Sequence, residues 1–175
     1  MTQKVLSNPF STGSGGSSFE TRVQTAFLIN MLSGGGLPSL KGHLAYKIKL
    51  QGKYAGYNTD DFIVYARNAK TGVESKLLAQ IKHRISFTED NEVFSEVINA
   101  AFEDFNSKEF DIDTDKIAII SGPISAIDID NTRVILDWAR YCENEKEFFF
   151  KIDSKKFSSN AKIKPAFYTS MPPYY

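Results

Sequence analysis

The pattern of apolar and polar residues along the chain predicts four helices and four strands. Apolar residues recur at helical spacing in some segments, whereas others show the alternation or the short apolar runs that are typical of strands. In chain order, the predicted elements are a helix at 18–32, strands at 43–51, 61–67 and 75–83, a helix at 90–106, a strand at 116–122, and helices at 128–142 and 145–152. This order indicates the α/β class, with a mixed β-sheet flanked by helices.

Local patterns add detail to two of these elements. In the strand at 43–51, alternation predicts that every second residue from Leu44 to Leu50 is half-buried, with Lys47 and Lys49 on the opposite face. The helix at 90–106 is predicted to begin after an N-cap at Thr88 and to carry its acidic residues on the face away from its apolar side chains.

The first predicted helix contains an acidic residue in an unexpected place. Ser17 or Ser18 is the predicted N-cap, and Phe27 and Met31 belong to its apolar face. Glu20 projects between those two residues, inside the apolar stripe. A functional carboxylate and an ordinary acid at the start of a helix, where the helix dipole favours it, are both consistent with this position.

Composition narrows the class of protein. With 175 residues, 42% hydrophobic and 24% charged, the chain has the size and composition of one globular domain. Its 21 basic and 21 acidic residues cancel, so any binding to nucleic acid must come from a local patch. The single cysteine, Cys142, excludes an internal disulfide. No apolar stretch approaches the roughly 20 residues of a membrane helix, so we expect a cytoplasmic domain without membrane contact.

The strands at 61–67 and 75–83 form a predicted hairpin whose polar side chains converge. If residues 71–72 form a two-residue loop, Asp61 lies opposite Lys82, and Gln80 shares their face of the sheet. A five-residue turn would shift the register by one and place Asp60 on that face instead. Both registers are open at this point.

An Asp, a second oxygen ligand and a Lys on adjacent strands suit phosphodiester hydrolysis. Two oxygen ligands can hold Mg²⁺, which keeps several waters and accepts phosphate oxygens. The ion polarises the phosphate and acidifies water, while the Lys stabilises developing charge. The spacing alone is a weak pattern, and on that basis ordinary polar residues of an edge hairpin are the favoured interpretation.

Longer motifs resemble a known group of nucleases. TDDFIV followed by LLAQIKH, after a helix that bears FE, resembles the PD-(D/E)XK nuclease superfamily in its Q-x-K variant. Over residues 7–165 the chain also resembles the N-terminal double-stranded-DNA endonuclease domain of CD-NTase-associated effectors, which act in cyclic-oligonucleotide anti-phage signalling (CBASS). The segments that carry this second resemblance are NPFSTGSGGSSFETRVQ, KLQGKYAGYNTDDFIV, AQIKHRISFTE, AFEDFN, IISGPISAIDIDNTRVILDWAR and KFSSNAK.

The resemblance implies a role for each residue of the site. Asp61 matches the metal-binding Asp, Gln80 the second ligand, and the carbonyl of Ile81 a third. Lys82 matches the catalytic lysine, and Glu20 the acid of the first helix that helps complete the metal site. Because Gln80 replaces the Glu that is commoner in the superfamily, the site has one less negative charge.

The resemblance also implies an activity and partners. It implies a metal-dependent endonuclease that cleaves duplex DNA with little sequence specificity and uses Mg²⁺, with Mn²⁺ as an alternative. Residues 1–165 would form the nuclease domain, and 166–175 a frayed tail or the start of a missing sensor domain. In the intact protein that domain, called SAVED, would bind the cyclic oligonucleotide, and activation would involve a homo-oligomer.

Basic residues near the predicted site are candidates for DNA contacts: His83, Lys53, Lys49 and Arg84. Their alternative is an ordinary solvated surface. Gln80 also motivates a rival function, a catalytically weak or inactive DNA-binding or assembly module of the same fold.

Overall fold

The chain is described by a computed structural model that covers residues 14–59, 61–87 and 91–153. These residues fall into two compact units. The first holds the described residues up to His83 together with Ala100–Gly122, and the second holds Arg84–Asn99 and the described residues from Pro123 onward. The predicted tail at 166–175 lies outside the described residues.

Every helix and strand predicted from the sequence is present, and the α/β class with a mixed sheet is confirmed. A short first strand and a 3-10 helix at Gly52–Ala55 are additional. The elements are α1 Ser14–Ser33, β1 Gly36–Leu37, β2 Leu40–Leu50, β3 Phe62–Asn68, β4 Glu74–Lys82, α2 Glu92–Phe105, β5 Lys116–Ser121, α3 Ala126–Tyr141 and α4 Glu145–Asp153.

Two helix starts differ from the prediction. Because α1 already begins at Ser14, Ser17 and Ser18 lie within the helix and the predicted N-cap is wrong. In α2 the N-terminal side-chain bond comes from Asn91, whose Oδ1 accepts the backbone N–H of Phe94 at 2.8 Å. Thr88, the predicted cap of α2, lies outside the described residues.

The first unit is built on a five-stranded sheet with the order β1-β2-β3-β4-β5. The first four strands pair antiparallel with their neighbours, and β5 pairs parallel with β4. The parallel pair needs a long connection, and α2 lies in the segment between β4 and β5. The sheet is therefore mixed because a single crossover follows a run of hairpins.

The two faces of the sheet contact different groups. Side chains of β3 and β4 alternate between the faces, as the period of a strand requires. On one face the helix α1 packs its apolar residues, and the Phe27 and Phe62 rings meet with centroids 4.9 Å apart. On the other face, Ile63 and Leu78 form a smaller core with Tyr57 and Phe110. We call the first the helix face and the second the open face.

A β-bulge interrupts β2. Ala45 pairs with Ala66, whereas Lys47 pairs with Tyr65, so that Tyr46 is an extra residue in the strand. An extra residue in one strand reverses the alternation of side chains beyond it.

The bulge explains why the predicted alternation of β2 is wrong. Ala45 before the bulge and Ile48 after it both pack on the helix face. Leu44, opposite Arg67, and Tyr46 therefore fall on the open face and are 41% and 47% exposed. Leu50, at the end of the strand, keeps the face of Ile48 but is 48% exposed.

The second unit contains α3 and α4. Ile135 of α3 packs with Phe148 and Ile152 of α4, and all three side chains are buried. The start of α3 is capped by Ser125, whose Oγ accepts the backbone N–H of Asp128 at 3.1 Å. Within the described part of the chain, none of the helices has the length and apolar character needed to cross a bilayer.

Candidate functional site

The observed hairpin register differs from the expected one by two residues. Phe62 pairs with Ala79 and Ile63 with Leu78, so the ladder continues from Asp61 toward Gln80 rather than Lys82. The predicted opposition of Asp61 and Lys82 is therefore wrong. A shift of two residues keeps every side chain on its face, and the predicted shared face of the polar residues survives.

Turn chemistry explains this register. The side-chain oxygen of Asn68 accepts the backbone N–H groups of Lys70 and Thr71, both at 3.0 Å. The backbone N–H of Asn68 donates a hydrogen bond to the carbonyl of Val73 at 2.8 Å, which closes the loop. Gly72 has a φ of 74°, a conformation that Gly adopts without strain. Residues 69–72 thus form the loop. Asp60 would lie on the same face as Gln80 only if the register differed by an odd number of residues from the pairing of Asp61 with Lys82, and the observed difference is two. Asp60 itself lies outside the described residues.

The Asp61 carboxylate is fixed where β3 begins and β4 ends. Its Oδ2 accepts a hydrogen bond from Gln80 Nε2 at 3.0 Å and another from the backbone N–H of Ile81. The carbonyl of Asp61 accepts the N–H of Gln51 at 3.0 Å, which ties the start of β3 to the end of β2. Gln80 is 6% exposed, whereas Asp61 is half-buried. The structure therefore brings together Asp61 and the strand segment that holds two of the three other predicted ligands, Gln80 and Ile81.

Lys82 ends β4 beside this contact. Its side chain is half-buried and shares the open face with Gln80, since the two residues are two apart in a strand. Its carbonyl accepts the N–H of Gly122 at 3.2 Å, just after β5 ends. A Cβ at Gly122 would lie 2.4 Å from the carbonyl oxygen of His83, so only Gly allows this close approach.

Glu20 lies on α1, which covers the helix face rather than the open face. Its Oε1 accepts a hydrogen bond from Gln24 Nε2 at 2.8 Å, one helical turn away. The neighbouring Phe19 ring meets the ring of His83 with centroids 5.2 Å apart, so this part of α1 lies near the end of β4. The predicted role of Glu20 in completing the metal site stays a prediction.

Asp104 of α2 is a residue whose role the sequence prediction missed. It is 1% exposed, and its two carboxylate oxygens accept the backbone N–H groups of Asn58 and Thr59, each at 2.7 Å. These residues lie just before Asp61, so the carboxylate positions the loop that leads to the site. The prediction that the acids of this helix lie away from its apolar side is wrong here. Asp104 follows the apolar Val97 by seven residues, about two turns, and that spacing was the signal.

A second buried carboxylate supports the open face. Asp115 is 3% exposed, and its Oδ2 lies 3.1 Å from the Nζ of Lys76. The Lys76 ammonium also lies 5.7 Å from the ring centroid of Tyr57. Burial by itself lowers the pKa of Lys76, but the hydrogen bonds with Asp115 and Tyr57 outweigh it and raise that pKa above its ordinary value.

The residues predicted to contact DNA occupy different places. Lys49 lies on β2 opposite Ile63, and Lys53 is exposed in the 3-10 helix. His83 follows β4 and is half-buried against α1. Arg84 is exposed and belongs to the second unit. Their predicted contacts with DNA stay predictions.

The donors at the strand ends fit an oxygen-preferring cation with few protein ligands. Asp61 offers a carboxylate, and Gln80 would offer an amide oxygen if its side-chain amide turned over, at the loss of its bond to Asp61. Mg²⁺ commonly takes one or two carboxylates and keeps several waters. Among the described residues, no group of three or more His, Cys, Asp or Glu side chains could hold a metal ion.

Comparisons with known proteins do not identify a family for this chain. No family model, no curated protein and no solved structure matches it. The resemblance to PD-(D/E)XK nucleases therefore rests on the sequence motifs alone.

Proposed function

We propose that this chain is a metal-dependent endonuclease that hydrolyses double-stranded DNA with little sequence specificity. The observation that supports this most is the contact of Asp61 with Gln80 and the Ile81 N–H, with Lys82 next along the same face. A carboxylate, an amide oxygen and an ammonium group at adjacent strand ends are the groups that phosphodiester hydrolysis needs.

Asp61 and Gln80 are the side chains that would hold Mg²⁺, or Mn²⁺ in its place, with the Ile81 carbonyl and Glu20 as further ligands. When bound, the ion would polarise the scissile phosphate and acidify the attacking water. Lys82 would position that water and stabilise the negative charge that develops on the phosphate.

The motif resemblance supports a wider biological role. It favours a cytoplasmic effector of a bacterial cyclic-oligonucleotide anti-phage system, with a sensor domain as its partner and a homo-oligomer as its active form. Double-strand cleavage needs two cuts, so a single copy of the domain would mainly nick DNA.

One observation favours a second candidate function. Asp61 already accepts two hydrogen bonds from the chain itself, as a purely structural carboxylate does. A DNA-binding or assembly module of the same fold, without catalysis, is therefore the rival.

Incubation of supercoiled plasmid with the protein at high concentration, with and without Mg²⁺, tests the proposal. We expect Mg²⁺-dependent nicking that is lost in Lys82→Ala and retained in Lys70→Ala, which changes an exposed lysine of the hairpin loop. Thermal melts verify that both variants fold. DNA binding without nicking in Mg²⁺ or Mn²⁺ would support the rival, and nicking by Lys82→Ala at the wild-type rate would remove that residue from the mechanism.

A further inference from the structure

A row of cations and aromatic rings lies along β2 and β3 on the open face, exposed except for the half-buried Tyr65. Lys47 Nζ lies 4.6 Å from the ring centroid of Tyr65, and Arg67 Cζ lies 5.3 Å from that of Tyr46. Both contacts are within the range of cation–π attraction. We call these four residues the cation–aromatic strip.

The strip leads to the candidate site. Side chains two apart in a strand share a face, so Tyr65 and Arg67 lie on the same face as Ile63. Ile63 pairs with Leu78, which shares its face with Gln80. At roughly 3.3 Å per residue, Tyr65 lies about 10 Å and Arg67 about 17 Å along β3 from Phe62, where the strand starts. A linear polymer that lies on the strip would therefore reach the Gln80 end of the sheet.

Exposure and charge make the strip available to an anionic ligand. Tyr46 is 47% exposed, and the Arg67 side chain is 60% exposed. The Nη2 of Arg67 forms an ion pair with the Oε1 of Glu74 at 2.6 Å, which offsets the arginine's positive charge. In the described part of the chain, the exposed ammonium of Lys47 is placed by an aromatic ring rather than by a carboxylate. An aromatic partner holds the lysine without neutralising it, which leaves its charge for phosphate.

We propose that the cation–aromatic strip binds a single-stranded stretch of nucleic acid. Cations contact phosphates, and exposed rings stack on bases whose faces are free. In a duplex those faces are already stacked on neighbouring bases, so an exposed tyrosine gains less from duplex than from single strand. The inference rests on the proposed nuclease function in one respect: the bound strand would be part of the substrate, so that DNA with an unpaired stretch beside the duplex would be preferred.

Fluorescence anisotropy in EDTA tests binding without cleavage. The probes are a labelled single-stranded 20-mer of mixed sequence and the duplex made from it. We expect tighter binding of the single strand, and a loss of about 5- to 150-fold in Tyr46→Leu, which keeps apolar bulk but removes the ring. In Lys47→Gln, the slope of log affinity against log salt should fall by about 0.7, the contribution of one phosphate contact.

Matched controls change exposed residues elsewhere. Lys70→Gln and Tyr141→Leu should leave single-strand binding unchanged, since Lys70 lies in the hairpin loop and Tyr141 belongs to α3. Equal or tighter binding of the duplex, or wild-type affinity in folded Tyr46→Leu, overturns the proposal. Competition by poly-glutamate as effective as that by unlabelled single strand would also overturn it, because the surface would then recognise acidic polypeptide.

The test separates this inference from the proposed function. If the strip variants lose binding but plasmid is never cut, the nuclease assignment fails and the strip stands. If plasmid is cut and the strip variants bind normally, the strip fails alone.

Discussion

Replacing Asp104 by Asn tests whether a buried carboxylate positions the loop before the candidate site. Asp104 accepts the N–H groups of Asn58 and Thr59, each at 2.7 Å, one on each of its oxygens. Asn keeps the shape of the side chain but replaces one acceptor by an NH₂ group. One backbone N–H therefore loses its acceptor, and the other loses a charged partner.

The expected cost follows from these two losses. A buried donor left without an acceptor costs about 1–3 kcal/mol, and a hydrogen bond to a charged group contributes about 1.5–3 kcal/mol. Because only part of the second contribution disappears, we expect Asp104→Asn to lower the free energy of unfolding by about 2–4 kcal/mol. For a chain of this size, that lowers the melting midpoint by roughly 4–16 °C.

Urea denaturation followed by circular dichroism measures the change in stability. Amide hydrogen exchange at Thr59 reports on the loop itself and should become faster in the variant. Glu103→Gln, which changes an exposed neighbour on the same helix, should stay within about 0.5 kcal/mol of the wild type. If Asp104→Asn also stays within that range, with unchanged exchange at Thr59, the carboxylate does not hold the loop.

Three further predictions concern the sheet. Gln80→Glu places a second carboxylate beside that of Asp61, so the variant should be less stable than the wild type in EDTA. It should bind Mg²⁺ more tightly than the wild type, as measured by calorimetry. Equal Mg²⁺ affinity would mean that position 80 does not face the ion. Lys76 has a raised pKa, so the stability that it contributes is present below its unfolded pKa of about 10.4 and is lost as the pH rises through its higher folded value. The stability difference between the wild type and Lys76→Gln, from urea melts at pH 8 and at pH 11.5, should therefore shrink at the higher pH; a constant difference would contradict this. Gly122→Ala should lower the free energy of unfolding by about 1–3 kcal/mol, because the new Cβ would lie 2.4 Å from the His83 carbonyl oxygen. Gly36→Ala is the control, since a Cβ there has open space. Equal urea midpoints for the two variants would show that the backbone at Gly122 relaxes without cost.

The elements of the fold were predictable because their periodicity is strong and local. The register of the central hairpin was not, because it depends on how the Asn68 side chain bonds to the loop that follows it. An Asn at this place is compatible with several loop lengths, and neither the two-residue loop nor the five-residue turn left open by the sequence is the one that forms. The shared face of Asp61 and Gln80 survived only because the error was an even number of residues.

The buried acids show a different limit of the sequence. Asp104 and Asp115 belong to segments rich in acidic residues, most of which are exposed. What singles them out is that each accepts backbone N–H groups from a segment about 40 residues away, Asn58 in one case and Lys76 in the other. Local pattern carries no information on such distant partners, although the helical spacing of Asp104 was a usable signal.

The bulge at Tyr46 is the place in β2 where the chain can lose a residue without moving side chains between the faces of the sheet. Deleting Tyr46 would restore regular alternation with Ala45 still opposite Ala66 and Lys47 still opposite Tyr65, so that Ala45 and Ile48 would stay on the helix face. Deleting Ile48 instead would leave a lysine, Lys47 or Lys49, in its place on the helix face. In natural variation of this protein, we therefore expect a single-residue deletion in β2 to fall at Tyr46 rather than elsewhere between Ala45 and Leu50.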